Sequence, residues 1–299
     1  MNHLPDTGRR KVLKQMCAAA VPFAVPQLIA LSEPRALDSD SRMERARIED
    51  GFRPLFDGHS LAGWKPQPRE IKDPSLGLWA VQNGMIVGAQ AKPKVGSYLT
   101  TEETFADFEL EIESWTDFPT DTGVLVRSNR QGNLGFQVCI DYRPHGALNG
   151  YYGNGIGGFH ACNYCFTARR NESGEVIGLV PEKPSEPLDT THLVALDDAP
   201  SAATFLRSWR LKGWNRYRIR SVGAVPHLTT WINGLKVAEL DTAKMVSPGW
   251  DPNKLDALVG RAGHIALEVH SNGAKDWLGN DRWEPGAVCR WRNIYIKTL

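Results

Sequence analysis

The stretch Phe108-Glu-Leu-Glu-Ile-Glu-Ser-Trp115 decides the fold class. Phe108, Leu110 and Ile112 alternate with three glutamates, so apolar side chains recur at every second residue. Successive side chains of a β-strand point to opposite faces, whereas a helix would repeat every 3.6 residues. The stretch therefore predicts a strand with one apolar face for a core and one polar face for water or a ligand.

The same alternation returns along most of the chain. Residues 136–141 and 264–270 show it clearly, and residues 123–127, 216–222 and 288–298 are further candidate strands. Asn83-Gly84 and Asn233-Gly234 each separate two short strand patterns, which is the signal of a two-residue hairpin. Many short strands without a long helical pattern predict an all-β fold, a jelly-roll β-sandwich of two antiparallel sheets.

One region interrupts the pattern. Residues 149–200 begin with glycine-rich sequence and continue irregularly, so we expect a long inserted loop, of the kind that forms functional loops or lids. The glycines do not form a phosphate-binding loop, because no Lys-Ser or Lys-Thr follows them.

Composition excludes several classes of partner. The chain has 299 residues, 41% of them hydrophobic, and a formal net charge of +1. A balance this close to neutral gives no electrostatic reason to expect binding to nucleic acid or to an acidic membrane surface. The 28 glycines and 19 prolines suit a fold with many turns.

The first 40 residues have the features of a targeting segment. Arg9-Arg10, followed by Lys11, precedes an apolar stretch over residues 16–31, as in a twin-arginine export signal. The stretch is short for a membrane span and contains two prolines. We therefore predict a signal and linker over residues 1–40, a charged linker or short helix over 41–51, and a periplasmic or extracellular protein without a membrane span in its mature form.

Polar faces that mix carboxylates with imidazoles are candidate ligand sites. His264, Glu268 and His270 share one face of their strand around the small Ala266. By contrast, the alternating arginines at 216, 218 and 220 are interpreted as an ordinary solvated face.

A metal is a secondary hypothesis. His160 precedes Cys162-x-x-Cys165, but a structural zinc site normally needs four ligands, so a local disulfide or two buried thiols is the favoured interpretation. His264 and His270 could hold a divalent ion together with a carboxylate. The sequence itself requires no cofactor.

An ordered series of motifs resembles a known family. Residues 52–64 (FRPLFDGHSLAGW), Trp79-x-Val81, residues 98–101 (YLTT) and residues 105–110 (FADFEL) come first. Residues 123–127 (GVLVR), 135–141 (GFQVCID), 263–270 (GHIALEVH) and 292–296 (RNIYI) complete the series. Together they resemble the 3-keto-disaccharide hydrolase domain family over nearly all of residues 52–299. The resemblance implies a concanavalin-like jelly roll that cleaves glycosides already oxidised to a ketone at C3.

That reaction, together with the shared faces of the strands, suggests roles for particular residues. A base must remove the C2 hydrogen, a cation or donor must stabilise the C3 oxygen, and an acid must protonate the leaving oxygen. We expect the catalytic residues to be His270, Glu268, Arg127 and Asp141. We expect the substrate-binding residues to be Glu113, Gln137, His264, Arg292 and Trp115. No Rossmann fingerprint is present, so a separate sugar oxidoreductase is the implied pathway partner.

Two other functions are consistent with the same sequence. A non-catalytic carbohydrate-binding jelly roll would use an aromatic platform, for which Trp115, Tyr142, Trp231 and Trp277 are candidates. A purely structural exported protein would neither bind nor cleave sugar.

Overall fold

The structure is a computed structural model, and it describes residues 34–69, 74–92, 94–184, 190–272 and 282–299. Most of the predicted signal, residues 1–33, and Trp277 lie outside the described residues. The large compact unit of the chain covers residues 44–299. Within the described residues, no helix is both long and apolar enough to cross a membrane.

Two sheets of eight strands make up the sandwich. Sheet I contains β1 (Arg53–Pro54), β3 (Leu78–Gln82), β4 (Met85–Ala89), β6 (Phe108–Thr116), β14 (Asn215–Val222), β15 (His227–Ile232), β16 (Leu235–Asp241) and β18 (Cys289–Thr298). Its order is β16-β15-β14-β6-β18-β4-β3, and β1 pairs with β18. All of its pairings are antiparallel.

Sheet II carries the site described below. It contains β2 (Trp64–Pro68), β5 (Ser97–Thr101), β7 (Thr120–Ser128), β8 (Gly135–Tyr142), β9 (Tyr151–Asn154), β10 (His160–Ala161), β13 (Leu193–Val194) and β17 (His264–Val269). Its order is β13-β10-β9-β8-β7-β17-β5-β2. Only the short β10–β13 pairing is parallel. The predicted all-β sandwich is confirmed.

The core fills the space between the sheets. Phe108, Leu110 and Ile112 of β6 are fully buried there, as are Ile265 and Leu267 of β17. The two Asn-Gly hairpins are also confirmed: Asn83 and Asn233 have φ values of 50° and 51°, and a glycine with positive φ follows each. These left-handed pairs match the twist of the strands that they join.

The predicted long loop contains regular structure. Residues 149–200 include three short strands of sheet II and a separate hairpin of β11 (Cys165–Arg170) with β12 (Val176–Glu182). Strands of two to seven residues interrupted by glycines show no clear alternation, which is why the sequence suggested an irregular loop.

Three α-helices and two 3₁₀ turns complete the described elements. They are α1 (Pro34–Glu49), α2 (Ala202–Ser208), α3 (Leu255–Val259), and the turns Thr190–His192 and Pro252–Lys254. Of the two alternatives for residues 41–51, a charged linker or a short helix, α1 corresponds to the helix over most of this range. Arg47 near its end is buried, donates from Nε to Glu111 Oε2 at 2.8 Å, and lies over the Tyr295 ring. This contact anchors the end of the helix on the outer face of sheet I.

Candidate functional site

The outer face of sheet II gathers charged side chains from neighbouring strands. Odd-numbered residues of β7 and β8 and even-numbered residues of β17 point to this face, because their neighbours fill the core. We call the group the arginine–carboxylate cluster. Its members are Arg69, Asp121, Gln137, Asp141, Arg143, Glu268, His270 and Arg282.

Glu268 is held by two partners in the cluster. The residue is 1% exposed. Arg69 Nη1 donates to its Oε1, and Gln137 Nε2 donates to its Oε2 at 2.6 Å. Burial raises the pKa of Glu268 above its usual value, and the charge of Arg69 opposes that rise. Both carboxylate oxygens are therefore engaged, which makes Glu268 an anchor for its neighbours.

Gly123 makes the contact between Gln137 and Glu268 possible. It lies on β7, the strand between β8 and β17. A Cβ atom at Gly123 would lie 2.6 Å from Gln137 Cγ and 2.7 Å from its Nε2. Only a residue without a side chain leaves room for the Gln137 amide to cross β7.

Asp121 and Asp141 form a pair of carboxyl groups. They are direct cross-strand partners of β7 and β8, and directly opposite residues of an antiparallel pair have Cβ atoms about 4.5–5.5 Å apart, so the two carboxyl groups are close neighbours. Asp121 Oδ2 accepts from Arg143 Nε at 2.9 Å and from Arg282 Nη1. Asp121 is almost fully buried, whereas Asp141 is partly exposed.

The two carboxyl groups have opposite pKa shifts. Burial raises the pKa of Asp141 well above its usual value, and the negative charge of Asp121 adds to that rise. Burial also opposes ionisation of Asp121, but the positive charges of Arg282 and Arg143 outweigh it and lower the pKa of Asp121. Two carboxyls at this separation do not both ionise, so the pair holds one proton, mainly on Asp141.

His270 is a neutral imidazole with a defined tautomer. Its Nδ1 lies 2.5 Å from the carbonyl oxygen of Ser271, which can only accept a hydrogen bond, so Nδ1 carries the proton. Nε2 is then unprotonated and accepts from Arg282 Nη1 at 3.3 Å. Burial, together with the charges of Arg69 and Arg282, lowers the pKa of His270 well below 6.5. His270 as a residue is half-buried, at the edge of β17.

Aromatic rings border the cluster. Tyr152 of β9 and His160 of β10 pack together with ring centroids 4.6 Å apart. Burial and the charge of Arg282 lower the pKa of His160 to about 4. On the other side, Arg69 lies over the Tyr98 ring, whose hydroxyl accepts from Asn154 Nδ2 at 3.3 Å. The face thus combines flat rings with hydrogen-bonding groups, as carbohydrate sites do.

A comparison of the sequence with protein-family profiles finds one domain. Residues 51–297 match the 3-keto-alpha-glucoside-1,2-lyase-like domain, which is most of the chain. The chain belongs to this family. It is therefore a carbohydrate-active protein, of a family that acts on glycosides. A comparison with curated proteins finds no match.

Several solved structures are similar to this 3-keto-alpha-glucoside-1,2-lyase-like domain. Two are proposed glycosyl hydrolases of Parabacteroides distasonis ATCC 8503. The first is 15% identical, covers 85% of this chain and 96% of its own, and has a TM-score of 0.47. The second is 21% identical, covers 83% and 99%, and has a TM-score of 0.44. The carbohydrate-binding module CBM66 of Bacillus subtilis is 10% identical, covers 79% and 96%, and has a TM-score of 0.37. The assignment as carbohydrate-active therefore rests on the family.

Four of the expected site residues come together in the cluster. They are His270, Glu268, Asp141 and Gln137. His264 shares the face of β17 with Glu268, but four residues separate them, about 13 Å along a strand. Its Nδ1 lies 2.7 Å from the carbonyl oxygen of Thr101. His264 is therefore placed outside the cluster.

Arg127 does not reach the cluster, which corrects its expected role. It has a positive φ of 50°, and the pairing of β17 with β7 shifts register beside it. Its fully buried guanidinium donates to the carbonyl oxygens of Gly223 and Gly260, at 3.2 and 2.5 Å. Arg127 therefore holds loops together.

Glu113, Arg292 and Trp115 lie on the opposite side of the domain, so their expected role in the same site is also corrected. All three are on the outer face of sheet I, where Arg292 Nε donates to Glu113 Oε2 at 2.8 Å. Trp115 packs edge-on against Trp214. Of the expected aromatic platform, Tyr142 is buried and Trp231 is on the outer face of sheet I. The described platform residues therefore do not line the cluster.

The cysteines form a buried group beside the cluster. Cys139, Cys162 and Cys165 are free thiols packed with Ala147, consistent with the favoured interpretation of buried thiols. A hydrogen bond with Cys162, and then burial, raises the pKa of Cys165. Among the residues that the structure covers, no group of three or more His, Cys, Asp and Glu side chains is arranged to hold a metal ion.

Sequence reasoning missed four charged members of the cluster. The predicted strand began at Gly123, two residues after Asp121, whereas β7 begins at Thr120. Arg143 shares the parity of Asp141, which is a signal that could have found it. Arg69 and Arg282 lie outside the strands, so no periodicity marks them.

Proposed function

We propose that this protein cleaves glycosides whose sugar carries a ketone at C3. Removal of the C2 hydrogen gives an enolate, the C1 substituent leaves by elimination, and addition of water completes a net hydrolysis. One observation carries the proposal: a neutral imidazole with an unprotonated nitrogen, that of His270, lies beside buried arginines on one face of sheet II.

The ketone determines what the protein must supply. It acidifies the neighbouring C2 hydrogen, so a base of moderate strength is sufficient. The lone pair of His270 Nε2 takes this proton once the bound sugar displaces the 3.3 Å contact of Nε2 with Arg282 Nη1. Glu268 is less suited to be the base, since Arg69 and Gln137 occupy its oxygens. We assign Glu268 to positioning those two side chains.

The enolate oxygen needs positive charge in a site with little water. The sequence suggested Arg127 for this role. We assign the role instead to Arg282 and Arg69, whose side chains are 12% and 16% exposed. Arg282 contacts His270 Nε2, so a sugar whose C2 hydrogen faces that nitrogen would bring its C3 oxygen near the same guanidinium. Such preorganised cations are worth more in a buried site than in water.

The direct test is an assay on a matched pair of substrates. The purified protein is incubated with a 3-keto-disaccharide and with the parent disaccharide, with and without a chelator, and released sugar is measured. We expect release from the keto sugar alone. Binding of the keto sugar without release would favour the carbohydrate-binding alternative, and loss of activity with the chelator would establish a metal requirement. No release and no binding would refute both functions.

We further propose that the chain is exported and acts after a separate oxidoreductase. Arg9 and Arg10 support export, and the missing dinucleotide fingerprint supports a separate oxidation step. Changing both arginines to lysine should retain the protein in the cytoplasm, which cell fractionation would detect. Unchanged export of that variant would remove the twin-arginine hypothesis.

A further inference from the structure

We propose that Asp141, which shares one proton with Asp121, is the acid that protonates the departing C1 oxygen. This inference rests on the proposed function, because it supplies the proton donor that the elimination needs. It concerns a pair of which only Asp141 was a candidate from sequence, and it gives the pair a distinct chemical role.

The pairing geometry requires a shared proton. Asp121 and Asp141 are opposite each other on β7 and β8, and both point to the outer face of sheet II. Side chains directly opposite each other on one face of an antiparallel pair have Cβ atoms about 4.5–5.5 Å apart, which brings the two carboxyl groups together. Two carboxylates in contact repel each other strongly, and one retained proton turns that repulsion into a hydrogen bond.

The surroundings place the proton on Asp141. Asp121 Oδ2 already accepts from Arg143 Nε and Arg282 Nη1, which stabilise the ionised form. No salt bridge to Asp141 is found among the described residues. Its Oδ1 is buried without a hydrogen-bond partner in the described part of the chain, although the residue as a whole is partly exposed. Asp141 is the more exposed residue of the pair, so we assign to it the contact with the leaving group.

One nitrogen of Arg282 contacts both the carboxyl pair and the proposed base, His270. Arg282 Nη1 contacts Asp121 Oδ2 and also lies 3.3 Å from His270 Nε2. The carboxyl pair and the imidazole are therefore neighbours on the same face. Elimination requires this arrangement, because the C2 hydrogen and the C1 oxygen are on adjacent carbons.

The step balances with these groups alone. The C2–H bond breaks and its proton goes to His270 Nε2, while the electron pair forms the C2–C1 double bond by way of the enolate. The C1–O bond breaks, and the departing oxygen takes the proton from Asp141. The products are a free alcohol or sugar and a 1,2-unsaturated 3-keto sugar. His270 then releases its proton to solvent, and Asp141 takes up a proton from solvent, so both groups return to their starting states.

The test compares leaving groups in the Asp141→Asn variant, which keeps the shape of the side chain but has no acidic proton. With an alkyl 3-keto-glucoside, whose leaving alcohol needs protonation, we expect kcat to fall on the order of 10²–10⁴-fold. With a nitrophenyl 3-keto-glucoside, whose leaving group departs as an anion, we expect a loss below about tenfold. Glu109→Gln, at a carboxylate on the outer face of sheet I, is the control and should lose nothing with either substrate.

Each outcome separates this inference from the proposed function. Equal losses with both leaving groups, or no loss, would overturn the role of Asp141 while cleavage by the wild type still supports the function. Absence of any cleavage by the wild type would refute the function itself. If Asp141→Asn does not fold, the infrared spectrum of the wild-type protein at neutral pH tests whether the carboxyl pair retains a proton. It should contain the carbonyl band of a protonated carboxyl group, and its absence would contradict the shared proton.

Discussion

The outer faces of the two sheets carry similar residues in different states. On sheet I, Glu109, Glu111 and Glu113 form ion pairs with Arg218, Arg216 and Arg292, whose side chains are 34–44% exposed. On sheet II, Arg69 pairs with Glu268, and Arg143 and Arg282 share Asp121, in ion pairs that are nearly out of water.

The outer face of sheet I also has one buried ion pair, Arg47 with Glu111, so a buried pair alone does not mark a site. The two faces differ in that the cluster on sheet II gathers several buried charges that do not balance. A half-exposed ion pair contributes little and leaves its members close to their ordinary chemistry. In the buried cluster three arginines face the Glu268 carboxylate, a carboxyl pair that retains one proton, and a neutral imidazole. That imbalance displaces pKa values, which is typical of functional sites.

The largest expected effect is on catalysis. His270→Gln removes the only proposed base, and we expect kcat on a 3-keto-glucoside to fall on the order of 10²–10⁴-fold. The matched control is His227→Gln, the same substitution at an exposed histidine on sheet I that pairs with Glu239. Undiminished turnover by His270→Gln, or an equal loss in the control, would remove His270 from the mechanism.

The next effect is on stability. Arg69→Met leaves Glu268 buried without its cation, and breaking a buried pair on one side costs about 3–5 kcal/mol. Arg220→Met, at a 48%-exposed arginine on sheet I, should cost less than about 1 kcal/mol. Denaturant unfolding measures both. Adding Glu268→Gln to Arg69→Met should recover part of the loss, and a further loss would argue against this account.

The sequence predicted which side chains share one face of a strand, but it did not predict which strands lie in the same sheet. Alternation placed Gln137 with Asp141, and Glu268 with His270, because a strand with one core face has only one other face. The same alternation applies to Glu113 and Trp115, yet parity within a strand does not reveal to which sheet the strand belongs. Arg127 was misassigned because a positive φ and a register shift change the direction of its side chain.

A smaller effect is expected at the glycine between the strands. Gly123→Ala would place a Cβ atom against Gln137, and overpacking of this kind costs about 1–3 kcal/mol. Gly213→Ala is the control, since its added Cβ would meet no atom closer than 3.7 Å. Thermal or denaturant unfolding should separate the two variants. Equal stability would mean that Gln137 can move aside without cost.

The smallest effect is a dependence of stability on pH. Folding lowers the pKa of His160 from 6.5 to about 4, so the unfolded chain binds a proton that the folded protein does not bind between these values. The free energy of unfolding should therefore fall as pH decreases from about 6.5 towards 4, by at most about 1.4 kcal/mol per pH unit for this residue. His160→Gln should remove that part of the slope. An unchanged slope would show that His160 is not held neutral.

The most direct test of the central claim measures proton removal at C2 without cleavage. A 3-keto derivative of 1,5-anhydroglucitol has no leaving group at C1, so exchange of its C2 hydrogen in D₂O can be followed by NMR. We predict rapid loss of the C2 proton signal with the wild-type protein and loss at the rate of buffer with His270→Gln. Exchange by the wild type no faster than buffer, or equally fast exchange by both proteins, would contradict the account.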